Sequence, residues 1–411
     1  MAHVALIGGF GDLVVKLRGS LLRSLRAAGH RVTVCVPAPS AEARAGVESG
    51  LRELGAKLVE APLDRSGTNP IGELALRNFY AKFMEAERPD AVIAYNPKPI
   101  FYAVPAARRA GVPHIAAMVT GLGYAFTSSD LRARILSLVA MRLYRRALPL
   151  ATTVVFQNND DRTRFEHLGL LGAVRSVHVI PGSGVDLAHF QHTAITEPPA
   201  RIDFLYLGRY LRDKGFVDFV EAARALRSLR EDASRFGFHI AGFVDENPSS
   251  VTAAEVRAWV SAGIVQDLGR LEDPRPALSA CSVMVLPSHG EGMPMAVLEA
   301  MSTGRAVVTT DVAGCRETII DGESGILVPP GAPAALAVAM EQFIEDPRTR
   351  GQHGHRGTSA RGGGVRQPRR ERAPAVGAWH LTVSAARCPA PGRERCRGRG
   401  CPRRTGSRSS A

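Results

Sequence analysis

The chain has 411 residues, 45% of them apolar, and a formal net charge of +13. That is enough length for two or three domains with separate cores, and no apolar run approaches the ~18 residues that a membrane-crossing helix needs. The charge does not belong to a nucleic-acid-binding body: residues 356–411 hold fourteen arginines, no lysine and two acids, so +12 sits in that tail and +1 in the other 355 residues.

The N-terminus, MAHVALIGGFGDL, lacks a basic leader and reads as a first strand, Val4 to Ile7, rather than a signal peptide. Gly8-Gly9-Phe10-Gly11 follows, then a helical stretch from Leu13 to Ala28 closed by Gly29-His30, then a strand from Arg31 to Val36. This is a βαβ opening with a glycine turn between strand and helix. A dinucleotide fingerprint would need a third glycine where Val14 stands, which argues against a dehydrogenase. Each of these glycines also suits a plain tight turn.

Strand-like pieces recur at Lys57 to Glu60, Ala91 to Tyr95, His114 to Val119, Thr153 to Gln157 and His178 to Pro181. Helical stretches, notably Ile71 to Glu87 and Ile100 to Ala110, separate them. The alternation predicts a parallel sheet covered on both faces, one doubly wound domain over residues 1–184. His114, at a strand start, reads as structural. Asp130 to Arg146 (DLRARILSLVAMRLYRR) combines five arginines with Ile135, Leu136, Leu138, Val139, Met141 and Leu143. Such a helix can lie in an anionic membrane interface, each basic residue contributing ~1 kcal/mol, or can bury its apolar side in the core.

Residues 185–200 are polar, end in a proline pair and read as a linker. A second α/β domain, residues 201–355, opens with the strand IDFLYLG and the turn Gly208-Arg209 to Lys214-Gly215, before a helix from Phe216 to Leu229. Two cations at a strand-to-helix turn can neutralise charge developing on a departing diphosphate, each charge-assisted bond being worth ~1.5–3 kcal/mol. Phe238 to Gly242, Ile264 to Leu268, Val283 to Leu286, Ala306 to Thr309 and Gly325 to Val328 supply further strands, with a helix from Ala334 to Phe343. After Leu286 comes PSHGEGMPMAVLE. Pro294 suits a first helical position, Gly304 closes the helix, and the strand, turn and helix N-terminus make an anion site. Glu291 and Glu299 bracket it; because carboxylates repel phosphate, their partners read as hydroxyls. Together these features suit a sugar nucleotide diphosphate.

GRYLRDKG and the acid–seven residues–acid spacing of Glu291 and Glu299 resemble the retaining glycosyltransferases of family 4. The resemblance, over roughly residues 1–346, implies the α/β GT-B fold, two doubly wound Rossmann-like domains facing across a cleft. It implies that Arg209 and Lys214 grip the donor diphosphate, Glu291 contacts the donor sugar and Glu299 the ribose. Gly208, Gly292, Met293 and Pro294 complete the donor side, and Gly9 and Gly11 lie beside the diphosphate and acceptor. Catalytic roles fall to Arg209, Lys214 and Glu291. The family's front-face displacement lets the leaving phosphate help remove the acceptor proton, so no protein base is implied; no Asp-x-Asp metal motif stands in the expected context, so metal independence fits and no other cofactor is implied.

MVTGLGYAFT (Met118 to Thr127), FQNNDD (Phe156 to Asp161) and SGVD (Ser183 to Asp186) look like a branch that adds a hexosamine or related sugar to polyprenyl-diphosphate-linked glycans in bacteria. A UDP-sugar donor, a lipid-linked acceptor entering near Gly8 to Gly11 and Thr120 to Tyr124, and a cytoplasmic site at the inner membrane face are the implied partners and place. Many relatives carry a histidine where Thr120 stands. Six cysteines without paired or zinc spacing (Cys35, Cys281, Cys315, Cys388, Cys396 and Cys401) read as reduced thiols. The resemblance ends near His355. Residues 356–411 have no apolar periodicity and read either as a disordered basic tail or as a shifted reading frame in place of terminal helices. Rival readings are a UDP-sugar 2-epimerase of similar architecture, an inactive sugar-nucleotide-binding remnant, and nucleic-acid binding carried wholly by the tail.

Overall fold

The computed structural model describes residues 1–65, 67, 69–121, 126, 131–194 and 201–346. The tail, part of the linker and half of the Met118–Thr127 stretch lie outside the described residues. The first strand, β1 (His3–Ile7), is buried along its whole length. It is apolar without alternation because helices cover both faces of its sheet. Successive side chains still point to opposite sides: Ala5 and Ile7 pack with Tyr80 and Ile100, Val4 and Leu6 with Leu22 and Val32.

Six more strands, β2 (Arg31–Pro37), β3 (Ala56–Ala61), β4 (Ala91–Tyr95), β5 (His114–Val119), β6 (Thr153–Phe156) and β7 (Val177–Val179), complete this sheet in the order β3-β2-β1-β4-β5-β6-β7. A second sheet contains β8 (Ile202–Leu207), β9 (Phe236–Ala241), β10 (Gln266–Asp267), β11 (Val283–Leu286), β12 (Ala306–Thr310) and β13 (Ile326–Val328), ordered β10-β9-β8-β11-β12-β13. Every pairing in both is parallel. In each sheet the winding reverses beside the first strand, between β1 and β4 and between β8 and β11. The loops leaving those neighbouring strands diverge and open a crevice at their carboxyl ends.

The second sheet rests on an aromatic core in which Phe216 stacks on Tyr210 at 4.5 Å and meets Tyr206 edge-on at 5.1 Å. The strands and long helices read from the sequence are present, with ends unchanged or shifted by up to three residues. Among the described residues, three helices of nine or more residues have no counterpart in that reading: Ala41–Glu53, Asn159–His167 and Ala253–Ser261. Each buries at most two apolar side chains, so its periodicity is weak. Their starts are fixed by caps instead, from Ser40, from Asn158, and from the reciprocal pair Thr252 and Glu255. One boundary moves: Pro294 is the extended residue before the helix Met295–Ser302 rather than its first turn, where its missing N–H is equally harmless.

Gly215 ties the Arg212–Lys214 turn to the helix Phe216–Leu229. Its φ is +66°, and a Cβ there would lie 1.9 Å from the Pro287 carbonyl oxygen. Gly46, on the exposed side of Ala41–Glu53, has nothing within 4 Å of a Cβ. Gly215→Ala should therefore lower stability by about 3 kcal/mol, and Gly46→Ala should raise it by about 0.5–1 kcal/mol. Denaturant midpoints of the two variants check this, and equal shifts would contradict it.

Candidate active site

The two crevices face each other across a cleft of about 330 Å³. Its first wall carries Phe10, Asn96, Thr120, Asp161 and Arg164, and its second Arg209, Lys214, His289, Glu291 and Gly292. All lie in loops, or in the first two turns of helices, after the carboxyl ends of strands in the two sheets.

Arg209 leaves the end of β8, where the Tyr206 hydroxyl donates to its carbonyl at 2.7 Å. Its guanidinium meets the buried Asp245 carboxylate at 2.8 Å. Arg65, from the first half, reaches the other oxygen of Asp245 at 2.5 Å. Both guanidiniums face the Phe10 ring, with Cζ at 4.7 Å for Arg65 and 5.9 Å for Arg209. Burial alone would favour protonation of Asp245, but Arg209 and Arg65 outweigh it and hold the carboxyl below its usual range.

Lys214, at the end of its short turn, donates to Glu291, which also accepts from the Ser288 hydroxyl at 3.2 Å. Glu299 does not line the cleft. It is 2% exposed, and its charged partner is Lys16 of the first half at 3.4 Å. The sequence reading gave both acids hydroxyl partners; here each meets a lysine, because a carboxylate removed from water needs a counter-charge.

Among the glycines, Gly9 spends its N–H on the Asn96 side chain at 3.1 Å. Gly11 presses on the Pro37 carbonyl, 2.3 Å from where a Cβ would sit. Gly208 lies under Gly242, whose Cβ would fall 1.8 Å from the Gly208 carbonyl oxygen. Gly11 and Gly242 thus meet a steric demand for backbone approach, whereas a Cβ on Gly208 itself would come no nearer than 3.7 Å to Tyr206. Met293 packs against Gly182. Gly292 bridges the halves: its Cβ would lie 2.2 Å from the Thr120 carbonyl oxygen, and that of Gly121 (φ +122°) 3.0 Å from the Gly292 nitrogen. Asn158, within FQNNDD, donates from one amide to the carbonyls of Glu291 at 3.2 Å and Gly292 at 3.0 Å.

Several residues in or beside the cleft were given no role of their own in the sequence reading. Asn96 holds a left-handed φ of +71° while its amide donates to Thr120 Oγ1 at 2.9 Å; the Asn-Pro after a strand was its one signal. Asp245 sits in a polar loop without any signature. Burial pushes the Asp161 carboxyl up to about 6, against the pull of Asn158. His289 is held toward its charged form by a 2.8 Å bond to Asp218.

If the glycine contacts keep the halves apposed, Gly292→Ala should open the cleft. Small-angle scattering should show a larger radius of gyration while circular dichroism stays unchanged. A variant as compact as the parent would contradict the steric argument.

Residues 201–346 match the family described as Glycosyl transferases group 1, and residues 17–182 the Glycosyl transferase 4-like domain. The chain is 26% identical over 361 residues to the N,N'-diacetylbacillosaminyl-diphospho-undecaprenol alpha-1,3-N-acetylgalactosaminyltransferase of Campylobacter jejuni, spanning 85% of this chain and 91% of that protein. It is 32% identical over 184 residues to the D-inositol 3-phosphate glycosyltransferase of an Arthrobacter species, 42% of each chain. Among solved structures, Anabaena HepE in complex with UDP-glucose superposes with a TM-score of 0.69 at 17% identity, covering 94% of this chain and 99% of that one. Sucrose-phosphate synthase from Thermosynechococcus elongatus gives 0.68 at 19%, covering 87% and 94%. At such identities these structures speak to the fold.

Proposed function

The chain belongs to the GT-B glycosyltransferases that join a 4-like half to a group 1 half, and on that premise we propose that it moves an N-acetylhexosamine or related sugar from a UDP-sugar to a polyprenyl-diphosphate-linked glycan, retaining anomeric configuration. The observation that carries this reading is the pair of carboxylate-held cations, Arg209 on Asp245 and Lys214 on Glu291, at the switch point of the second sheet. A diphosphate entering the cleft would meet two positive groups already oriented, so little reorganisation is needed as charge develops. The Anabaena neighbour's UDP-glucose complex supports a nucleotide-sugar donor, and the activity for which the Campylobacter relative is named supports the sugar and the lipid-linked acceptor.

In this reading the bond from the anomeric carbon to the diphosphate oxygen breaks with its electron pair staying on the diphosphate. The acceptor oxygen bonds to that carbon on the same face, and its proton passes to a departing phosphate oxygen. Arg209 and Lys214 balance the charge on the diphosphate, Glu291 accepts a donor-sugar hydroxyl and Glu299 the ribose hydroxyls. No metal is called for. Incubation with UDP- and GDP-sugars and lipid-diphosphate acceptors, followed by mass analysis, tests the proposal; products formed without an acceptor would point to epimerisation instead.

Arg209→Ala and Lys214→Ala should each lower turnover about 100-fold, whereas EDTA should leave it unchanged. Glu291→Gln should act on turnover, and Glu299→Gln on nucleotide affinity, since ribose contacts serve ground and transition states alike. Near-parental kcat in the two cation variants would remove them from the mechanism.

The same proposal includes peripheral attachment to the cytoplasmic face of an anionic membrane. Among the described residues no helix is long and apolar enough to cross one. The helix Leu131–Ala147 leaves Leu131, Ile135, Leu138 and Val139 exposed at i, i+4, i+7 and i+8, and Arg142 and Arg146 continue that face. An unburied apolar stripe running into arginines suits an interface of acyl chains and anionic headgroups. Replacing Arg142, Arg145 and Arg146 with Gln should weaken binding to phosphatidylserine-containing vesicles at least about ten-fold. The measurement belongs in chains ending at His355, free of the tail's arginines, and unchanged sedimentation with vesicles would reject the attachment.

A further inference from the structure

The helix Val14–Ala27 breaks a local rule. Its first turn holds Lys16 and no acid, although the positive end of a helix dipole disfavours a cation there. A residue that violates local preference has its compensation in the tertiary structure. Here it is Glu299: the half-exposed Lys16 reaches across from the first half and sets its ammonium 3.4 Å from a carboxylate that is 2% exposed. Burial raises the proton affinity of Glu299 above that of an ordinary glutamate, and Lys16 is the charged group that opposes the rise. Cations faced by a buried acid decide whether it accepts or donates hydrogen bonds.

We propose that Lys16 is a positioning residue for the donor nucleotide, holding the Glu299 carboxylate ionised and oriented to accept the ribose hydroxyls when the two halves are apposed. The inference rests on the ribose assignment of Glu299. It adds a dependence on the first half: as the halves separate, Lys16 withdraws, Glu299 loses its counter-charge, and the nucleotide loses an acceptor. Release of the spent nucleoside diphosphate is thereby linked to opening. Protonation sets the sign. Nucleotide affinity falls as pH drops through the titration of Glu299, and removing Lys16 moves that fall to higher pH.

The test is calorimetric titration of the full chain with UDP, and with GDP in parallel since both carry ribose, between pH 5.5 and 8. The set comprises the parent, Lys16→Met, Lys16→Arg, Glu299→Gln and the K16M/E299Q double variant. At pH 7 Lys16→Met should bind about ten-fold more weakly, and its affinity should decline on acidification from a higher pH than the parent's. Lys16→Arg should restore both properties, and kcat at saturating donor should change little. In the E299Q background Lys16→Met should cost nothing further. Thermal melts confirm that each variant is folded. Parental affinity of Lys16→Met throughout the range would overturn the proposal, as would an equal loss in the E299Q background. Parental affinity of Glu299→Gln would instead remove the ribose assignment on which the proposal stands.

Discussion

A carboxylate taken out of water must be given a cation or gain a proton, and three acids where the halves meet are arranged around that requirement. Glu291, Asp245 and Glu299 are all largely withdrawn from solvent, and each has a partner: Lys214, the pair Arg209 and Arg65, and Lys16. Unpaired, any of them would cost several kcal/mol or protonate. Two of the four cations, Arg65 and Lys16, arrive from the first half of the chain. The charged site is therefore complete only when the halves meet, and the pairing that stabilises it also orients the groups proposed to bind the donor.

Topology explains why these residues can converge from such distant sequence positions. Each sheet reverses its winding beside its first strand, so the loops after β1 and β4 oppose those after β8 and β11. The last ångströms are set by glycines, since Gly121 and Gly292 bring two backbones closer than any side chain would permit. Asn158 then fastens the contact by bonding the carbonyls of Glu291 and Gly292. A turn proposed to bind the donor, its backbone held by the opposite half, gives closure a direct structural meaning.

Much of this was legible in the residues. Buried parallel strands announce themselves as unbroken apolar runs such as AVIAY and VMVL, and both sheets were read from them. Arg209, Lys214 and Glu291 carry a recognisable spacing, and they do share one cleft. Helices such as Ala253–Ser261 were missed because one buried valine makes no periodic stripe. Asp245 and Lys16 were illegible for a different reason. Their meaning lies in contacts across 36 and 283 positions of sequence with Arg209 and Glu299, and no local pattern encodes a partner that only folding brings near. The glycines of the first loop were readable as a turn, but their close contacts with the Tyr95 ring and the Pro37 carbonyl emerge only in three dimensions.

A crystal structure of the full chain with UDP bound is the most direct measurement of the central claim. The account predicts the diphosphate against Arg209 and Lys214, the ribose hydroxyls on Glu299 with Lys16 still beside it, and the two halves joined through Gly292 and Thr120. A nucleotide held wholly by the first half, or a diphosphate distant from both cations, would contradict it.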